Sequence, residues 1–126
     1  MIEEQSDLKK QLTIFKCTDD VMVKELIDKL ITFYKTSPTL YLLMDLTHAR
    51  LKSGSTEDVR EYVEFLKSWG HVRKGGKTAI AVSSDKEYGL SRAFQAFSKI
   101  KDLAFETEVF HSLDEAKNWF LPNSDL

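Results

Sequence analysis

Cysteine, proline and glycine are all scarce in this chain of 126 residues, which has one Cys, two Pro and five Gly. The lone Cys17 excludes an intramolecular disulfide framework and a multi-cysteine metal cluster within one chain, and it points to a reducing compartment. So little Pro and Gly is the mark of neither a fibrous nor a low-complexity protein. Charge of one sign is missing too: 18 Lys and Arg against 20 Asp and Glu leave a net charge of -2. With a pI near 5.9 there is no concentrated basic surface for a phosphate backbone, so no nucleic acid partner is expected. No window approaches the ~20 apolar residues of a membrane span. Residues 1–10 carry acids and lysines without an apolar stretch, unlike a secretory signal. The expectation is a cytoplasmic protein without stable membrane insertion. His48, His71 and His111 are too scattered for paired zinc-ligand spacing, so no metal and no cofactor is expected.

What is present is an ordinary globular composition, 42% hydrophobic and 30% charged. A chain of this length suits one domain, expected over 1–126 with loose tails at 1–10 and 122–126. The clearest stretch runs over 77–97. Thr78-Ala79-Ile80-Ala81-Val82 is a short apolar run behind the Gly75-Gly76 turn and reads as a buried strand. A helix follows, with Ser84 and Glu87 as a capping box and Leu90, Ala93, Phe94, Phe97 and Ile100 on one face.

Three further strand-helix units surround it. Residues 11–16 form a strand with Leu12 and Ile14 on one side and Thr13 and Phe15 on the other. Thr18, Asp19 and Asp20 supply caps and early acidic charge for a helix with Val23, Leu26, Ile27, Leu30, Ile31 and Tyr34 inward, ending near Ser37 before Pro38. Residues 39–46 are apolar at almost every position, as in a strand covered on both faces. A polar loop over 47–54 leads to a Ser55/Asp58 cap and a helix with Val59, Tyr62, Val63, Leu66 and Trp69 inward and Gly70 as its stop. Residues 104–111 make an edge strand, with Phe105 and Val109 in and Glu106 and Glu108 out. Ser112 and Glu115 cap a last helix with Leu113, Ala116 and Phe120 inward, ended by Pro122. Four β-α units in alternation imply an α/β fold with a mainly parallel sheet.

Residues 77–83 followed by Asp85, Tyr88-Gly89-Leu90-Ser91-Arg92 and Phe94, then Glu108-Val109-Phe110 and the run from Ser112 to Phe120, resemble the second half of small bacterial SpoIIAA-like proteins. These are relatives of STAS domains and share a fold with CRAL-TRIO lipid-binding domains. The resemblance implies a SpoIIAA-like β-α superhelix of four mainly parallel strands alternating with four helices. It also implies a phosphoacceptor serine after the strand containing Leu42 to Thr47, which makes Ser55, with Ser53 beside it, the candidate here. The acidic residue and the glycine after the serines that STAS-domain anti-sigma-factor antagonists carry are missing in Leu51-Lys52-Ser53-Gly54-Ser55-Thr56.

In an open parallel sheet, ligands gather outside the carboxyl ends of the strands. Four segments should meet there: 17–20, 45–48, 83–88 and 111–112. Tyr88, Gly89 and Arg92 are the anion-binding candidates, because an arginine in the first turns of a helix adds side-chain donors to free amides; the alternative is a salt bridge from Arg92 to Glu87 or another loop carboxylate. Asp45 and Asp85, with Asp19 and Asp20, could hold a hard cation, but as caps and a loop-amide partner for Asp45 they need no ligand. Cys17 with His48 or His111 is a conceivable thiol-imidazole pair, and a buried hydrophobic cysteine is the simpler reading. Lys67, His71, Arg73, Lys74 and Lys77 read as a solvated cluster complementing a helix dipole. The expected function is a non-catalytic interaction or small-ligand-binding module. The alternatives are a phosphorylation-dependent regulator resembling anti-sigma-factor antagonists and a binder of a lipid-like or anionic metabolite at the carboxyl rim of the sheet.

Overall fold

The computed structural model describes residues 1–52, 55–83, 85, 88, 89, 92, 95, 96, 99 and 103–120. Its elements are β1 (Ile2–Asp7), β2 (Leu12–Met22), α1 (Val23–Thr36), β3 (Tyr41–Lys52), α2 (Thr56–Trp69), a 3-10 turn (Gly70–Arg73), β4 (Lys77–Ala81), β5 (Glu106–Phe110) and α3 (Leu113–Phe120). Between β4 and β5 the described residues Asp85, Tyr88, Gly89, Arg92, Gln95, Ala96 and Lys99 are helical. The Ser84/Glu87 cap, the apolar positions 90, 93, 94, 97 and 100, and Pro122 with the 122–126 tail lie outside the described residues.

The strands form one sheet in sequence order, β1 to β5. Three ladders are parallel, and β1 lies antiparallel on β2. Parallel crossovers that step the same way along a sheet put their helices on one face. Accordingly α1 and α2 share a core with Phe15, Cys17, Leu42, Met44, Leu46, Ile80, Val82, Phe105 and Val109. The other face is covered by α3, whose Ala116 and Phe120 pack on Leu12, Leu43, Ala79 and Ala81. The small Ala79 and Ala81 let that helix lie close. Residues 42–46 are buried throughout, the one polar member, Asp45, included.

Several expectations are corrected. Residues 1–10 were expected to be loose, but 2–7 pair with β2 from Ile2↔Cys17 to Asp7↔Leu12. Only one position of β1 is even half-buried, so backbone pairing rather than an apolar face holds it. Thr18, Asp19 and Asp20 are not helix caps: β2 runs through them to Met22, which precedes α1 without a side-chain cap. The polar loop expected over 47–54 is strand as far as Lys52.

At the opposite, amino end of the sheet, Arg73 is buried rather than solvated. Its Nε donates to the Thr39 carbonyl at 2.8 Å, Nη1 to Tyr34 Oη at 2.8 Å and Thr78 Oγ1 at 2.7 Å, and Nη2 to the carbonyls of Leu40 at 3.0 Å and Lys77 at 2.9 Å. All five guanidinium N–H groups are thereby used. The cation also lies 4.8 Å from the centroid of the Phe105 ring. Lys67, His71 and Lys74 are exposed as expected. Gly76 belongs to the same junction, where a Cβ would fall 2.1 Å from the Leu40 carbonyl oxygen.

Candidate functional site

The carboxyl rim is built by the overshoot of two strands. β4 pairs with β3 only as far as Asp45↔Ala81, and β1 pairs with β2 only as far as Cys17. Beyond those points β2 and β3 run on together from Thr18↔His48 to Met22↔Lys52, with Met1 still bonded to Thr18, whose N–H donates to the Met1 carbonyl at 2.9 Å and whose carbonyl accepts from the Met1 ammonium at 2.8 Å. The register shifts between Lys16 and Thr18, where Leu46 and Thr47 oppose the single Cys17. This is a β-bulge, a device that re-aims side chains beside sites.

Asp45 holds the bulge. Although it is only 5% exposed, its Oδ1 accepts the Thr47 backbone N–H at 3.0 Å and the Thr47 hydroxyl at 2.6 Å. A buried carboxylate is tolerated when its lone pairs meet donors, and the amide freed by the bulge needs an acceptor. The Thr47 hydroxyl spends its only hydrogen on Asp45, so the 3.2 Å contact between Thr47 Oγ1 and His48 Nδ1 requires Nδ1–H to donate. That tautomer leaves Nε2 of the neutral imidazole as an acceptor.

Alternation does the rest. Val21, Ala49 and Leu51 are buried on the inner side of the ribbon, while Asp20, His48 and Arg50 are exposed. Asp20 and Arg50 are register partners. Asp19 is paired with the inward Ala49, yet it is exposed and has φ 61°. The left-handed region is one that Asp visits more readily than most residues. Asp19, Asp20, His48 and Arg50 line a cleft of about 530 Å³. Among the described residues no ion pair within 4 Å neutralises Arg50 or either aspartate.

The other rim candidates are arranged differently. Tyr88 lies against His111 with ring centroids 4.0 Å apart, and Arg92 sits 6.0 Å from the Tyr88 centroid. Arg92 also approaches Glu108 at 3.7 Å and donates to Gln95 Oε1. Gln95 Nε2 in turn donates to Glu108 Oε1 at 2.7 Å and the Thr107 carbonyl at 2.8 Å. The arginine is thus engaged by a carboxylate of the edge strand, not by the loop carboxylate expected as the alternative. Gly89 and Asp85 are exposed, and no described contact joins Asp45 to this group. Ser55 caps α2, its Oγ accepting the Asp58 N–H at 3.1 Å; Ser53 lies outside the described residues.

Cys17 is fully buried. Burial, aided by the Asp45 carboxylate, pushes its thiol up to about 12, which removes the thiolate a nucleophile needs. Among the described residues, no three His, Cys, Asp or Glu side chains are placed to hold a metal ion. No helix in the described residues is long and apolar enough to cross a membrane.

Among the described residues three other spaces are defined, one of them an open depression of about 600 Å³ along α1 lined by Met22, Lys24, Glu25, Asp28, Lys29 and Thr32. An apolar cavity lined by Val23, Leu26, Leu30, Met44, Val59 and Tyr62, among others, has about 60 Å³, far under the roughly 300–1,000 Å³ of ligand pockets. A depression of about 440 Å³ flanks β5, where the buried Thr107 hydroxyl has no hydrogen-bond partner among the described residues, but its Glu108 is already tied to Arg92 and Gln95.

Ribbon residues 48–52 could have been read from the sequence, since His-Ala-Arg-Leu-Lys alternates polar and apolar. Nothing in the order of residues shows that Arg50 has no ion-pair partner among the described residues.

No family model matches the chain, and no curated protein does. A solved structure does match: the crystal structure of an uncharacterised protein of the DUF3478 family, with a SpoIIAA-like fold, from Shewanella loihica PV-4. The similarity covers 95% of this chain and 92% of that one, with 16% identity and a TM-score of 0.56. The fold of this chain is SpoIIAA-like, with five strands where four were expected from the sequence.

Proposed function

We propose that this chain is a non-catalytic small-ligand-binding module and that its ligand enters the β2–β3 ribbon cleft, carrying an anionic group to Arg50. The observation behind this reading is the exposed guanidinium without an ion-pair partner among the described residues, in a cleft of about 530 Å³. Arginine is the side chain best suited to hold a carboxylate or phosphate through two parallel hydrogen bonds. His48 adds a ring oriented through Thr47 and Asp45.

Size argues against a lipid-like occupant of the apolar core cavity, because 60 Å³ is below even the engineered ~150 Å³ cavity that takes up benzene. Nor does the α2 terminus favour a phosphorylation switch. Ser55 is engaged as a cap, with Glu57 and Asp58 in the first turn, and carboxylates beside a phosphate repel it.

The test is a thermal-shift screen of small carboxylates, phosphate esters and amino acids against the chain and its Arg50→Ala variant. At least one compound should raise the melting temperature of the parent and leave the variant unmoved. If none does, or if the shift survives in Arg50→Ala, the cleft is not the site.

A further inference from the structure

The geometry points to a zwitterionic ligand for the ribbon cleft, of the class of a free α-amino acid, with its carboxylate on Arg50 and its ammonium between Asp19 and Asp20. Such a site presupposes the ligand cleft proposed above and adds the second pole. Two carboxylates and one guanidinium line the same space, so the cleft carries more negative than positive charge. A simple anion reaching Arg50 would meet Asp19 and Asp20 as well, and like charges close together disfavour binding. A simple cation would meet Arg50. A molecule bearing both charges satisfies both.

The spacing agrees. Asp20 and Arg50 are register neighbours on adjacent strands, and adjacent strands lie about 4.8 Å apart. Opposite charges so placed commonly pair across a sheet, yet these two do not come within 4 Å. Both poles therefore stay open on the one cleft they line. His48 Nε2, held as an acceptor, lies beside Arg50 on the same face and can take a further ammonium or amide hydrogen. The backbone at Asp19 contributes too. An ordinary strand would turn its side chain toward the core with Ala49, whereas the left-handed φ of 61° accompanies an exposed carboxylate on the cleft.

The experiment is an NMR titration of the full chain with each of the twenty common L-α-amino acids, followed at the Arg50 Nε–H and the amides of 18–22 and 48–52. The tightest binder is then compared with its deaminated acid and its decarboxylated amine. The amino acid should bind at least tenfold tighter than either, with Asp20→Asn and Arg50→Ala each weakening it tenfold or more. If the acid binds as tightly as the amino acid, the second pole is wrong and the anion cleft stands. If neither the amino acids nor their one-charge analogues perturb these residues, both the zwitterion and the cleft fall.

Discussion

Arg73 donates to the phenolic oxygen of Tyr34 at 2.8 Å, and both side chains are buried. The bond ties the 3-10 turn after α2 to the last turns of α1. With Thr39, Leu40, Lys77 and Thr78 as the other acceptors, one guanidinium closes the amino end of the sheet. No carboxylate is among its partners. The charge is carried by carbonyl and hydroxyl dipoles and by aromatic faces.

Replacing Arg73 by Met should therefore destabilise the chain by about 3 kcal/mol or more, because several buried acceptors lose their donors and each costs about 1–3 kcal/mol. Lysine keeps the charge but has three donors in place of five, so Arg73→Lys should recover only part. Urea denaturation measures both, and a loss under about 1 kcal/mol for Arg73→Met would show that the acceptors find other partners.

The neighbouring glycines should respond unequally. At Gly76 an added methyl meets the Leu40 carbonyl at 2.1 Å, whereas Gly75 has open space but φ +82°. Gly75→Ala should cost about 1–2 kcal/mol of left-handed strain. Gly76→Ala should cost more than about 3 kcal/mol, since backbone must move.

Much of this architecture is legible in the order of residues. Leu12 and Ile14 alternate against Thr13 and Phe15, 42–46 read as a doubly covered strand, and Ser55 and Ser112 cap the helices expected of them. The ribbon was not legible in β2, because Thr-Asp-Asp before an apolar stripe has the form of a helix cap and Asp is depleted in strands. β1 offers no alternation, and its pairing depends on a neighbour distant from any local signal. Arg73 could not be placed either: its acceptors are mostly main-chain carbonyls, which every sequence has.

The bulge gives a third prediction. Asp45→Ala removes the acceptor of the Thr47 amide and hydroxyl and should cost about 1–3 kcal/mol. Thr47→Val should cost about 1 kcal/mol while freeing the His48 ring. Ring tautomer populations read from imidazole nitrogen shifts should move from the Nδ1–H form in both variants; unchanged populations would mean Thr47 does not orient His48.

Alkaline pH supplies a fourth. The Cys17 thiol rises from 9.0 to about 12 on folding, mainly through burial. Between those values the native chain holds a proton that the unfolded chain has lost, so stability is full below pH 9 and falls as pH climbs above it. One such group contributes a slope of up to about 1.4 kcal/mol per pH unit. Tyr34 and Tyr62, both raised by burial, steepen the fall above pH 10. Cys17→Ala should flatten the part between 9 and 10, measured by urea titration at each pH; an unchanged slope would place the thiol in contact with solvent.

Ser55→Ala should cost about 1 kcal/mol of helix capping and leave ligand binding at the ribbon intact. Phosphate found on Ser55 by mass analysis after incubation with cell extract and ATP would instead favour the regulatory alternative.

The most direct measurement is a two-dimensional amide NMR map of the labelled chain against a pooled set of small carboxylates, phosphates and amino acids. The ribbon account predicts perturbed amides confined to 18–22 and 48–52. Perturbations centred on Tyr88, Arg92 and His111, or on α1 and α2 around Leu26 and Val59, would contradict it.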